Sequence, residues 1–176
     1  MDIENLVDDY IEKFRYEAKR ELEWFKKQKT IEDAIKVAAL AERPSGKRFA
    51  HQRRLKKEVL EKAKEILLQN KDKIKKTKNF DELYDLISKL LKNILGIGPL
   101  YIYDTSLRIG AYLGFEPKDV YLHAGTLEGA RALGFKGNKI SVKDLPKSLG
   151  RLKPREIEDF LCIYKDELKK LSKTKT

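Results

Sequence analysis

The chain has 176 residues, of which 41% are apolar and 38% are charged, so it is long enough for one sizeable core. The apolar fraction excludes a disordered polyelectrolyte, and the formal charge of +11 with a pI near 9.5 favours a polyanionic partner. A single cysteine excludes an internal disulfide framework. Because no apolar run of about 18 residues occurs, we expect a soluble, cytoplasmic protein that inserts into no membrane.

The first half of the chain is predicted to be helical. Apolar residues recur at three- and four-residue steps over residues 3–28, which is typical of one long amphipathic helix. Thr30 is a candidate N-cap for a short helix that runs to Leu40. The Pro, Ser and Gly residues within 43–48 indicate a loop, and a second long helix is predicted over 55–67.

The next two helices have clear start and stop signals. Asn79 and Glu82 resemble a capping box at the start of an apolar helix that Gly96 ends. Pro99 is suited to the first position of the following helix, and Gly114 is suited to its C-terminal cap. We therefore predict two apolar helices joined by a tight connection.

Shorter elements are predicted in the last third of the chain. They are a short helix over 117–123, a further helix up to Leu133, a brief extended segment over 140–142, and a last helix from Pro154 to Leu171. Together the patterns predict an all-α protein with about eight helices around a single core.

Positive charge is concentrated in the middle of the chain. Residues 43–78 contain fourteen basic and four acidic residues, a difference of +10 that nearly equals the excess of the whole chain. The lysines of 71–78 are typical of a solvated helix face. The arginines nearer the start favour phosphate contact, because the guanidinium fork matches phosphate geometry. The predicted nucleic-acid-binding residues are Arg43, Lys47, Arg48, Arg53, Arg54, Lys56 and Lys57.

The charge pattern also suggests a division of the chain. We predict a helical arm with the basic stripe over residues 1–78 and a compact helical half over 79–171 that contains the Gly-Ile-Gly-Pro connection. Residues 172–176 are predicted to form a frayed tail.

The sequence Leu-Lys-Asn-Ile-Leu-Gly-Ile-Gly-Pro over residues 91–99 resembles the helix-hairpin-helix element of DNA repair and replication proteins. The resemblance implies sequence-independent contact with a phosphate backbone, and DNA more than RNA. The backbone amides of Gly96, Ile97 and Gly98 would bind the phosphate, with Lys92 as a flanking cation. The alternative is that these residues only join two packed helices and bind nothing.

The residues after the connection are similar to a stretch of the helix-hairpin-helix DNA glycosylases. Tyr103 and Asp104 begin a Tyr-Asp-Thr-Ser-Leu-Arg sequence that ends at Arg108, and Asp104 matches the catalytic aspartate of that family. Asp104, Arg108, Tyr103 and His123 are candidate catalytic residues, because they are polar or aromatic residues within one dense apolar region of the sequence, where a pocket could hold His123 as a general base near Asp104 or Tyr103. Two structural alternatives remain open, namely an Asp104–Arg108 ion pair that fixes helix packing and a capping role for His123.

Other chemistries lack the residues that they require. His51, His123 and Cys162 are far apart and share no ligand spacing, so we expect no metal and no cofactor, and Cys162 is expected in the core. Three hypotheses remain: a nucleic-acid-binding protein, which we favour; an enzyme with a pocket around Asp104 and His123, acting on a nucleic acid base; and a helical interaction module. In the third, the first helix binds a partner protein or a second copy of the chain.

Overall fold

The computed structural model describes residues 2–173, and within them ten α-helices account for most of the chain. This confirms the predicted all-α class. The helices are α1 (Ile3–Lys13), α2 (Arg15–Lys26), α3 (Ile31–Ala39), α4 (Lys57–Gln69), α5 (Lys71–Lys75), α6 (Phe80–Leu91), α7 (Pro99–Leu113), α8 (Ala124–Ala132), α9 (Pro154–Ile163) and α10 (Lys165–Lys173). Within the same residues, no helix combines the length and the apolar character that crossing a bilayer requires.

The structure contains two very short strands, and the first of them lies where the sequence predicted a helix. β1 (Val120–Tyr121) pairs antiparallel with β2 (Lys139–Ile140), and Val120 lies opposite Ile140. The predicted short helix over 117–123 is therefore wrong, because the pairing with β2 holds this segment extended. The extended segment predicted over 140–142 begins one residue early and turns into a 3-10 helix, Val142–Asp144.

Three helix ends that the sequence predicted from local signals are confirmed. The side chain of Thr30 accepts a hydrogen bond from the amide of Asp33, and that of Asn79 accepts one from Glu82. Gly114 ends α7 in the left-handed conformation, with φ of +80°.

The predicted first and last helices are each interrupted once. α1 ends at Phe14, whose φ of −118° leaves the helical range, and α9 ends at Tyr164 with ψ of +17°. The rings of these two residues contact each other edge to face, with centroids 6.3 Å apart. Each aromatic residue therefore packs across the fold at the point where its helix is broken.

The chain divides into two compact units, which we call terminal and central by their place in the sequence. The terminal unit contains the described residues up to Ala18 and those from Pro117 onward, and the central unit is Lys19–Glu116. In the terminal unit, α8 packs against α9 and α10. In the central unit, α3 packs against α4 and α7, and α6 packs against α7. Each unit has its own cluster of buried apolar side chains.

The units differ from the division that the sequence suggested near Asn79. α6 begins directly after that residue, yet it packs against α4 and α7 within the central unit. Leu67 of α4 and Leu83 of α6 are both fully buried in one cluster. A shared core therefore joins the two sides of Asn79. Of the predicted tail, residues 172–173 belong to α10, and 174–176 lie outside the described residues.

Candidate functional site

All the predicted functional residues except His123 lie in the central unit, and seven of them fall between the end of α3 and the first residue of α4. We call residues 43–57 the basic segment. It opens with a tight turn. The amide of Gly46 donates to the carbonyl of Arg43 at 2.8 Å, and the amide of Arg43 donates to the carbonyl of Lys47 at 2.8 Å. Pro44 occupies the second position of this turn, and Gly46 has φ of +74°, which glycine adopts without strain. The turn residues therefore fix the path of the chain locally.

Phe49 anchors the basic segment in the core. Its side chain is buried against Phe25, with ring centroids 6.3 Å apart. The guanidinium of Arg108 lies 4.2 Å from the centroid of the Phe49 ring, and that of Arg43 lies 5.6 Å from it. A cation placed over an aromatic ring is attracted to the negative face of the ring. Phe49 thus ties the segment to α7 at its middle.

The seven predicted nucleic-acid-binding residues fall into two groups. Arg43 and Arg48 are half-buried and serve the protein itself, since Arg43 pairs with Glu21 at 2.9 Å and Arg48 donates to the carbonyl of Leu55 at 2.8 Å. The other five are exposed, namely Lys47, Arg53, Arg54, Lys56 and Lys57. The basic segment is therefore held by two arginines and presents five cations to solvent.

A chain of four polar residues links the core to the surface beside these cations. Arg108 donates to the side-chain oxygen of Gln52 at 2.9 Å, and the Gln52 amide donates to Asp104 Oδ2 at 2.8 Å. His51 Nε2 lies 2.8 Å from the same carboxylate oxygen. The predicted ion pair between Asp104 and Arg108 is present, with a separation of 3.8 Å. The exposed fraction of the side chain rises from the buried end of this series to its surface end, from 6% at Arg108 to 15% at Asp104 and 48% at His51.

Arg108, at the buried end of this series of polar residues, also binds the C-terminal end of α3, as does Tyr101. Arg108 reaches the carbonyl of Ala38 at 3.4 Å, and the Tyr101 hydroxyl donates to the carbonyl of Ala39 at 2.6 Å. The last carbonyls of a helix lack intrahelical partners and favour a nearby cation. Burial lowers the pKa of the Arg108 guanidinium, and the nearby Asp104 carboxylate opposes that shift. Burial also raises the pKa of Tyr101 to about 12.

The Gly-Ile-Gly-Pro connection is longer than the sequence indicated. α6 ends at Leu91, so residues 92–98 join it to α7, and Gly96 lies within this turn with φ of +95°. The amide of Ile97 already donates to Ile94 at 3.0 Å. Within residues 2–173, the amides of Gly96 and Gly98 donate to no carbonyl. Of the three predicted phosphate-binding amides, two therefore remain available.

The structure brings this turn next to the end of the basic segment. A methyl group placed on Gly96 would lie 3.7 Å from Val59, in the first turn of α4, two residues after Lys57. Lys92 is exposed at the other end of the turn, and Leu95 at its tip is 93% exposed. Two features that the sequence suggested separately are thus neighbours in the central unit.

Of the predicted catalytic residues, His123 and Asp104 belong to different units, and Tyr103 is buried in the core of the central unit. His123 lies in the terminal unit, where its Nε2 atom is 3.1 Å from Glu158 Oε1, and Thr126 donates to that same oxygen at 2.7 Å. Tyr103 is 1% exposed and packs edge to face against Phe80 in the core. Its ring is therefore closed off from solvent, whereas Asp104 on the next position reaches the surface.

Two site residues were missed by sequence reasoning. His51 and Gln52 lie inside the basic segment, where His51 was considered only as a metal ligand, and their partner Asp104 is more than 50 residues away in the chain. One local signal existed: a histidine and a glutamine stand between buried Phe49 and exposed Arg53. Cys162, expected in the core, is exposed.

Comparison of the chain with protein-family models, with curated proteins and with solved structures finds no match.

Proposed function

We propose that the protein binds nucleic acid through the phosphate backbone, with a contact surface in the central unit. The surface combines the five exposed cations of the basic segment with the start of α7. The observation that carries this proposal is the proximity of Gly96 to Val59, two residues after Lys57: a methyl group placed on Gly96 would lie 3.7 Å from the Val59 side chain. This proximity supports a single contact surface that includes both the turn and the end of the basic segment.

The cations supply the affinity in this proposal. The central unit contains 23 basic and 14 acidic residues, a difference of +9 out of +11 for the whole chain. Each cation that neutralises a phosphate releases a condensed counterion, so the affinity falls steeply as salt is added. Contacts of this kind carry no direct sequence information. We therefore expect affinity that depends on salt far more than on base sequence.

The turn supplies a fixed point for one phosphate group. The amides of Gly96 and Gly98 and the first amides of α7 lie at the positive end of the helix dipole, which favours an anion. Lys92 adds a cation at the same connection. The resemblance to the helix-hairpin-helix element favours DNA as the ligand, and phosphate contacts alone accept RNA as well.

The test compares the double substitution Arg53→Ala/Arg54→Ala with a matched control, Lys73→Ala/Lys75→Ala, which removes the same charge from exposed positions on α5. Fluorescence anisotropy with labelled duplex DNA, single-stranded DNA and duplex RNA gives the affinity at several salt concentrations. We expect the slope of log affinity against log salt to fall by about 2 in the arginine variant, or about one for each lost phosphate contact.

The control variant should keep the slope of the unmodified protein. Equal slopes for all three proteins, or no binding at low salt, would show that the basic segment is not the contact. A third variant, Gly98→Val, tests the turn: its first side-chain carbon meets no atom within 4 Å, and φ is −110°, so the fold tolerates it. We expect weaker binding with an unchanged melting temperature.

A further inference from the structure

His51 is held at the surface by an arrangement that the fold supports from within. Its Nε2 atom faces Asp104, which also accepts from buried Gln52, which in turn accepts from buried Arg108. Removing a guanidinium from water is costly, and a buried polar network stabilises a fold only when its members are satisfied. Here the buried side chains hold Asp104, and Asp104 orients the imidazole of His51, which is half exposed and lies within the basic segment.

We propose that His51 is a general base that activates the ribose 2′-hydroxyl of RNA bound at the basic segment, so that the protein cleaves RNA by transesterification. This inference rests on the proposed nucleic-acid binding and extends it to a reaction. Asp104 is the positioning residue for His51. Arg53 and Arg54, two and three positions after His51, are its nearest sequence neighbours with exposed positive charge.

The carboxylate determines which ring nitrogen is basic. An ionised carboxylate only accepts hydrogen bonds, so the His51 nitrogen that faces Asp104, Nε2, carries the proton. The other nitrogen, Nδ1, then carries the lone pair. Within residues 2–173 the His51 ring has no second hydrogen-bond partner, and its side chain is 48% exposed. Nδ1 is thus the nitrogen that can accept a proton from a ligand, as in the histidine of an acid–base dyad.

The reaction balances without an oxidant, a reductant or a co-reactant. The proton of the 2′-hydroxyl passes to His51 Nδ1 while the 2′-oxygen forms a bond to the adjacent phosphorus. The bond from phosphorus to the 5′-oxygen of the next nucleotide breaks, and that oxygen takes a proton from water. The products are a 2′,3′-cyclic phosphate and a 5′-hydroxyl end, and the imidazolium returns its proton to the hydroxide left by the water.

The surrounding charge suits this step. The phosphate gains negative charge as the 2′-oxygen attacks, and fixed cations stabilise charge that develops in the transition state. DNA lacks the 2′-hydroxyl and therefore cannot undergo the reaction. RNA cleavage with DNA of the same sequence left intact is the signature that this chemistry predicts.

The experiment uses the full chain and two substrates. The first is uridine 3′-(4-nitrophenyl phosphate), a small substrate whose good leaving group reports the attack by the 2′-oxygen directly. The second is a labelled single-stranded RNA, with DNA of the same sequence as the control. We expect His51→Gln to lower kcat/KM on RNA by about 100-fold or more while the RNA affinity stays within twofold, because general-base catalysis contributes on the order of 10²–10⁴.

Three further variants separate catalysis from folding. Free imidazole should restore cleavage by His51→Gly, which a merely structural histidine would not show. Asp104→Asn should lower kcat with KM unchanged, and Asp104→Glu should recover part of that loss. The Lys73→Ala/Lys75→Ala variant should cleave as the unmodified protein does.

The outcomes distinguish this inference from the proposed binding. RNA binding without cleavage, or cleavage that is equal in His51→Gln prepared in the same way, overturns the inference and leaves the binding proposal standing. Cleavage of the nitrophenyl substrate that requires His51, without salt-dependent binding of RNA or DNA, supports the dyad and overturns the proposed nucleic-acid binding.

Discussion

The central and terminal units each contain a histidine beside a carboxylate, and the two pairs differ mainly in exposure. His51 lies 2.8 Å from Asp104, and His123 lies 3.1 Å from Glu158. The His51 side chain is 48% exposed, whereas that of His123 is 5% exposed. The same two functional groups are thus placed at the surface in one unit and enclosed in the other.

The two settings suit the two pairs to different roles. The enclosed pair is completed by Thr126, whose hydroxyl donates to the same Glu158 oxygen, and it ties the start of α8 to α9. Removing a partner there leaves polar groups buried, which costs stability. At the exposed pair, buried Gln52 and Arg108 interact with Asp104, and the side chain of His51 remains in contact with solvent. Stability should therefore depend on Arg108 and Glu158, and chemistry on His51.

The largest effect is expected at the buried support of the exposed pair. Arg108→Met removes the guanidinium that serves Gln52, Asp104 and the end of α3, so Asp104 loses its buried counter-charge. We expect a loss of about 3 kcal/mol in the free energy of unfolding, as when one partner of a buried ion pair is removed. Urea unfolding followed by the fluorescence of Trp24, the single tryptophan, measures this within the central unit.

The matched control for Arg108→Met is Arg131→Met, which makes the same substitution at an exposed position on α8. Its effect should stay within about 0.5 kcal/mol. A loss below about 1 kcal/mol for Arg108→Met would mean that the polar chain is not a structural support, and the comparison between the two pairs would fail.

An intermediate effect is expected at the enclosed pair. Glu158→Ala removes the carboxylate that accepts from Thr126 and lies beside His123 Nε2, so we expect a loss of about 1–3 kcal/mol, the cost of leaving buried polar groups without a partner. Far-ultraviolet circular dichroism during urea unfolding measures it. Asp166→Ala removes a carboxylate that is 68% exposed on α10 and serves as the control, with an expected change below about 0.5 kcal/mol.

The smallest effect on stability is expected at His51 itself. His51→Gln keeps a polar side chain at a half-exposed position, so the free energy of unfolding should change by less than about 0.5 kcal/mol. The same urea titration as for Arg108→Met gives the value. A loss as large as that of Glu158→Ala would place both pairs in the same structural role and remove the contrast between them.

Local signals allowed much of the fold to be predicted. A cap side chain bonds an amide three positions on, and an alternation of apolar residues repeats within a few turns, so both are contained in a short stretch of sequence. Thr30, Asn79, Pro99 and Gly114 therefore marked their helix ends correctly. The Asp104–Arg108 pair was predictable for the same reason, since the two residues are four apart on α7.

The parts that could not be predicted depend on partners distant in the sequence. The interruption of the first helix at Phe14 involves a ring contact with Tyr164, 150 positions away. The division into units depends on which helices share a core, and apolar periodicity shows only that a face is buried. His51 became a site residue because α7 brings Asp104 to it, which no local pattern records.

The distance in sequence between the two halves of the site determines when it forms during folding. His51 and Asp104 are separated by 53 positions, and Arg108 and the carbonyl of Ala38 by 70. The chain entropy that such a long loop loses on closure must be offset by the contacts that it brings together. On the ribosome, a nascent chain that ends before α7 contains the basic segment but lacks Arg108, whose guanidinium packs over the ring of Phe49. Asp104 can therefore orient His51 only after the whole central unit has been synthesised and α7 has packed against it.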